Sequence, residues 1–88
     1  MCTMISMRAP ITGAGKGDQG WFPVTAANVG FDHAAHTQAE HALLLDFVNP
    51  ALGVGARVAL EMNLASGKAL VEQLQAAIAA AEESGVNE

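Results

Sequence analysis

Three histidines, and the chain has no others, fall within Asp32-His33-Ala34-Ala35-His36-Thr37-Gln38-Ala39-Glu40-His41. The spacing is H-x2-H-x4-H, with an acid directly before the first and the last. Neutral imidazole is the commonest side-chain metal ligand near neutral pH. Three of them suit a divalent ion such as zinc, copper or iron and leave a position for water or substrate. The intervening alanines are small enough to let the rings converge, and Asp32 or Glu40 could orient an imidazole as a hydrogen-bond acceptor. The pattern matches neither H-E-x-x-H nor paired C-x-x-C spacing. A polar loop whose histidines cap a turn accounts for the same residues, and so does a metal-free acid/base role for one of them.

Geometry narrows the metal reading. His33 and His36 share a face in a helical turn but point oppositely in a strand, so the segment must turn for both to reach one ion. His41 opens a strand and points with Leu43, Leu45 and Phe47, whereas Glu40 points with Leu44 and Asp46. An ion on the core side makes His41 a ligand. An ion on the other side brings in Glu40 and Asp46. The expectation is the core side, with His33, His36 and His41 as ligands and Cys2, Glu40 and Asp46 as catalytic helpers. Cys2 reads as a nucleophile or fourth ligand, or as a small buried hydrophobe. Removal of Met1 would add an α-amino group beside its thiolate.

Asp46 lies mid-strand among leucines, where an ionised carboxylate is costly unless paired. Arg57 is the nearest obvious cation. An ion pair at a dimer seam comes ahead of a catalytic acid there. Gly13-Ala14-Gly15-Lys16-Gly17 lacks the spacing and following helix of a phosphate cradle. It reads as a flexible hairpin loop, with Lys16 available to meet an anion as a lid. Trp21 and Phe22 read as core, or as one wall of a pocket.

The elements that must hold these residues follow from periodicity. Residues 2–11 alternate as a strand, with Pro10 marking its end or an edge. Residues 12–20 read as loop. Residues 21–31 form a second strand, interrupted by Pro23 and Gly30 toward an edge or bulge. Residues 32–40 connect it to the strand 41–48, apolar on both faces. A Pro/Gly turn over 49–55 precedes the strand 56–64. There Val58, Leu60, Met62 and Leu64 face the core. A helix follows, with Ser66 as N-cap, a stripe of Leu70, Val71, Leu74, Ala77, Ile78 and Ala81, and Gly85 just past its end. Glu82 and Glu83 sit unfavourably at the negative end of the helix dipole. The predicted fold is α+β: a four-stranded antiparallel sheet, one C-terminal helix on one face, and the other face (Leu44, Val48, Ala59) buried in a dimer.

Composition bounds the function classes. Eighty-eight residues make one domain, 1–88. Four Lys+Arg against nine Asp+Glu give a net charge of -5, which excludes a phosphate-backbone binder and leaves no nucleic-acid partner. The 51% hydrophobic and 15% charged shares exclude disorder. One cysteine cannot form an intramolecular disulfide. No apolar run reaches membrane-span length and no signal peptide is legible, so no membrane partner and a cytoplasmic location are expected. The apolar surplus in so short a chain points to a homodimer.

The Met-Cys-Thr-Met-Ile start, Gly15-Lys16-Gly17, Gly20-Trp21-Phe22, Asp32-His33-x-x-His36, Glu40-His41-Ala42 and Asp46-Phe47-Val48-Asn49 together carry a resemblance. Along nearly its whole length the chain resembles a family of uncharacterised bacterial proteins of about this size, a domain of unknown function. The resemblance implies a complete protein and no particular activity. The expected function is a small metal-binding protein, a metalloenzyme acting on a small molecule through the three histidines. Two alternatives stand beside it: a non-enzymatic dimeric binding or accessory protein with structural histidines, and a metal-free Cys/His enzyme.

Overall fold

In a computed structural model of the chain, residues 5–34 and 40–85 are described. Four strands, β1 (Ile5–Gly17), β2 (Gly20–His33), β3 (His41–Val48) and β4 (Arg57–Met62), precede one helix, α1 (Leu64–Glu83). The strands form one antiparallel sheet in the order β1-β2-β3-β4. This is the α+β arrangement expected from the alternating pattern. A 3-10 turn, Pro50–Leu52, sits between β3 and β4.

The predicted loop over 12–20 is instead strand. β1 runs on through Gly13–Gly17 and pairs with β2, turning only at Asp18-Gln19. The glycines there serve close packing: a Cβ at Gly15 would lie 3.1 Å from Val24 Cγ2 and 3.3 Å from Val58 Cγ2. Val58 belongs to β4, so the far end of the hairpin curls from one edge of the sheet toward the other. A bulge allows this bend: Ile11 and Thr12 together face the single Thr25, between the pairs Pro10–Ala26 and Gly13–Val24. Pro10 thus occupies an edge strand beside an irregularity, where its missing N–H is tolerated. Pro23 falls where β2 has no partner in β3. Gly30 marks no bulge. It pairs with Ser6 and Leu44, and a Cβ there would meet the Ile5 carbonyl oxygen at 2.8 Å.

The registers sort the side chains onto two faces. Ile5, Met7, Val29, Phe31, His33, His41, Leu43, Leu45, Leu60 and Met62 share face A. Arg8, Asn28, Asp32, Leu44, Asp46, Arg57, Ala59 and Glu61 share face B. Among the described residues the buried apolar side chains are small or mid-sized: Val24, Ala26, Ala27 and Ala42. Asn49 is buried with them. Its amide donates to the Pro23 carbonyl (2.9 Å) and its Oδ1 accepts from the Ala51 N–H (3.1 Å). This ties the β3–β4 connection to β2.

The helix begins earlier than its predicted cap. Asn63 caps it, accepting from the Ser66 N–H at 2.8 Å. Gly85 terminates it in the left-handed region (φ 82), as expected of a residue just beyond a helix. The expected packing of the helix along the sheet is not what forms. α1 meets β3 through its first turn, where Gly67 is buried against Leu43. Beyond that turn Leu70, Val71, Leu74 and Ile78 are 42–57% exposed. The apolar stripe exists, but this chain's own sheet does not cover it.

Candidate functional site

β2 and β3 form a hairpin whose open end carries two of the three histidines. The register that pairs Phe31 with Leu43 continues to His33 opposite His41, so both rings rise on face A, the side α1 touches. Their centroids are 4.6 Å apart with planes inclined by 30°. Phe31, diagonal to His41 across the same strand pair, stacks on it at 5.8 Å and 23°. His41 is half-buried with an aromatic ring and its partner imidazole as neighbours, while His33 is exposed. The connecting segment is pinned at its ends, because the Ala34 N–H donates to the Glu40 carbonyl at 3.2 Å. His36 lies in the middle of that segment and outside the described residues.

Imidazoles that share an ion of tetrahedral preference bring their ligating nitrogens within about 3.3 Å of each other around a metal at ~2.0–2.1 Å. Directly opposed side chains on antiparallel strands, with Cβ atoms ~4.5–5.5 Å apart, can be brought to that condition by rotation of the rings. The register thus places two imidazoles side by side on face A. Among the described residues no third His, Cys, Asp or Glu joins them to complete a metal-binding group.

The acids take other positions. Asp32 accepts a hydrogen bond from the backbone N–H of the next residue, His33, at 2.7 Å, at the end of β2. Glu40 is exposed and alternates away from His41. Asp46 stands on face B, across the sheet from the two rings. Arg57 holds it with two hydrogen bonds, Nε–Oδ1 at 2.6 Å and Nη2–Oδ2 at 3.0 Å. The Asp46–Arg57 pairing expected from the sequence is thus present on face B, whereas its expected position at a dimer seam is not something a single chain displays. The carboxylate raises the Arg57 pKa above its ordinary value, first through the hydrogen bond and then through the Coulomb attraction. This geometry gives Asp46 a partner and does not bring it to the histidines. Cys2 lies outside the described residues. Ile5, three positions after it, pairs with Phe31, two positions before His33.

Two further expectations change. Lys16 sits in a strand opposite Trp21 and not on a flexible lid. Trp21 is 71% exposed, so it is no core residue. It borders a shallow cavity of about 450 Å³ with Phe22, Leu52 and Ala56. The sequence reading missed Phe31 as the wall behind His41, although hairpin register makes it a neighbour once His33 and His41 are paired. It also missed Arg8, whose Nε donates to Asn28 Oδ1 at 2.7 Å on face B. Among the described residues no helix is long and apolar enough to cross a membrane.

No curated protein and no solved structure matches the chain. Residues 1–87 match the model of a family of unknown function, DUF6295, and the chain belongs to that family.

Proposed function

We propose that this protein binds one divalent metal ion at the open end of the β2–β3 hairpin and acts there on a small molecule, as a cytoplasmic homodimer. His33, His36 and His41 are the ligands. One observation carries the reading: His33 and His41 face each other across the strands with ring centroids 4.6 Å apart. His36 lies three residues from one and five from the other in the sequence.

A bound zinc, copper or iron ion supplies Lewis acidity toward a substrate oxygen or a water molecule. The chain's own residues do the rest. Phe31 packs against His41 and limits the directions its ring can take. The exposure of His33 leaves the site open to a small ligand. Glu40, next to His41 in the sequence and exposed, supplies a carboxylate at the rim for proton exchange with solvent, and Cys2 lies three residues before the β1 residue that pairs beside this end.

The test is metal content. Protein purified without a histidine tag should carry, or take up on titration with zinc, copper(II) or iron(II), about one equivalent per chain. Loss of uptake in His33→Ala and in His41→Ala is expected. Content far below one equivalent with no saturable uptake overturns the reading.

A second reading, a non-enzymatic dimeric binding or accessory protein, draws on the apolar cleft between α1 and face A, about 650 Å³ in volume. In this reading the imidazoles pack structurally, His41 against Phe31 and His33 against His41. Unchanged dimerisation and ligand binding with all three histidines replaced by alanine would favour it.

A further inference from the structure

A 20-residue helix spans about 30 Å, and α1 is anchored to its own sheet only at its first turn. Held that way it gains little from tertiary packing, which supplies most helix stability in water. Its stripe nevertheless carries Leu70, Val71, Leu74 and Ile78, each about half exposed. Opposite lies a second uncovered surface. On face A, Ile5, Met7 and Leu60 are 42–66% exposed. Val29, Leu43, Leu45 and Met62 form the floor of the 650 Å³ cleft.

The surface area says how much is missing. The chain exposes 6781 Å², whereas a compact monomer of its 9.0 kDa exposes ~4,900 Å² by the surface–mass relation. The excess is about 1,900 Å² per chain, an upper limit of roughly 3,800 Å² for two chains, and even half of that upper limit matches a standard-size specific interface. Each chain leaves both a helix stripe and a sheet face uncovered. A two-fold rotation brings the stripe of each chain onto the face of the other, and both deficits close together. A different protein would have to offer a matching helix and a matching face at once.

We infer that a second copy of this chain covers face A, with α1 of each chain laid into the cleft of its partner. The inference takes the homodimer from the proposed function and assigns its surface. The seam is the helix side of the sheet. This departs from the expectation that the face of Leu44, Val48 and Ala59 forms the seam: on that face B, Arg57, Asp46, Asn28 and Arg8 make a polar row. The histidine pair lies on the same face, next to Phe31 and Leu43, so the seam runs beside the proposed metal site.

The experiment is sedimentation of the full chain over a range of concentrations, with three variants. Wild type should be a dimer at micromolar concentration. Leu74→Glu and Ile78→Glu should each weaken association by at least ~100-fold, because an unpaired carboxylate would enter an apolar seam. Ala59→Lys, a charge added to face B, should leave it unchanged. Isotope-filtered NMR on mixed labelled and unlabelled wild-type protein keeps the question open to measurement should a variant fail to fold. Cross-chain contacts from Leu74 and Ile78 to Leu45 or Leu60 are expected. A monomeric wild type overturns both the homodimer and this surface. A dimer broken by Ala59→Lys but not by the α1 variants, or one without those cross-chain contacts, overturns the surface and leaves the homodimer standing.

Discussion

Gly67 is the point at which helix and sheet meet, and adding one methyl group there gives a prediction with a definite sign. In a free helix Gly→Ala is stabilising by up to ~1 kcal/mol. Here the new Cβ would collide with Leu43 Cδ1, and overpacking of this kind costs about 1–3 kcal/mol. The clash wins: Gly67→Ala should destabilise by about 1 kcal/mol, which lowers the melting temperature by roughly 4–8 °C in a domain this size. Leu43→Val removes the offending δ carbons and keeps a strand-forming residue. In that background Gly67→Ala should become stabilising by about 0.5–1 kcal/mol, a coupling near 2 kcal/mol between the two sites. Thermal and urea unfolding followed by circular dichroism at one fixed protein concentration reads all four variants, since dimer stability depends on concentration. Gly67→Ala raising stability equally in both backgrounds would refute the contact, and with it the placement of α1 on face A.

Other perturbations separate the site from the scaffold. His41→Ala should lower metal affinity by more than ~100-fold, beyond the 10–100-fold typical of residues that merely orient a ligand; calorimetric titration measures it, and an unaltered isotherm excludes His41 as a ligand. Arg57→Lys loses the two-pronged grip on Asp46 and should cost only about 0.5–1 kcal/mol, since the pair is partly exposed, with metal uptake unaltered; a variant that unfolds less stably and also loses metal would link face B to the site. Asn63→Ala removes the helix cap and should destabilise by ~1 kcal/mol in urea titration. Asn49→Ala strips two part-buried hydrogen bonds, one to the Pro23 carbonyl and one from the Ala51 N–H, from a buried side chain, so a larger loss of about 1–3 kcal/mol is expected; equal effects of Asn49→Ala and Asn63→Ala would argue that Asn49 is not buried.

Local patterning determined most of the strand content. Strict alternation from Val58 to Met62 and the run from His41 to Val48 are period-2 signals that survive any tertiary context, because a one-residue slip would reverse every side chain. The same parity places His41 with Leu43 and Asp46 on the other side. The charge balance of Asp46 and Arg57 is likewise legible before folding, since a mid-strand carboxylate needs a nearby cation. The glycines of 13–17 misled for a physical reason. Glycine marks flexibility locally, but here it makes room for Val24 and Val58 where the sheet curls, and sequence spacing holds no record of that approach. Where the helical stripe would find cover was equally invisible, because amphipathicity says that a face must be buried and not by what. Pairwise register decided that His33 meets His41 with Phe31 behind it, and long-range contact decided that α1 leaves its own sheet after one turn. Periodicity is a property of neighbours along the chain, whereas the site and the uncovered face arise from residues that only the folded backbone brings side by side.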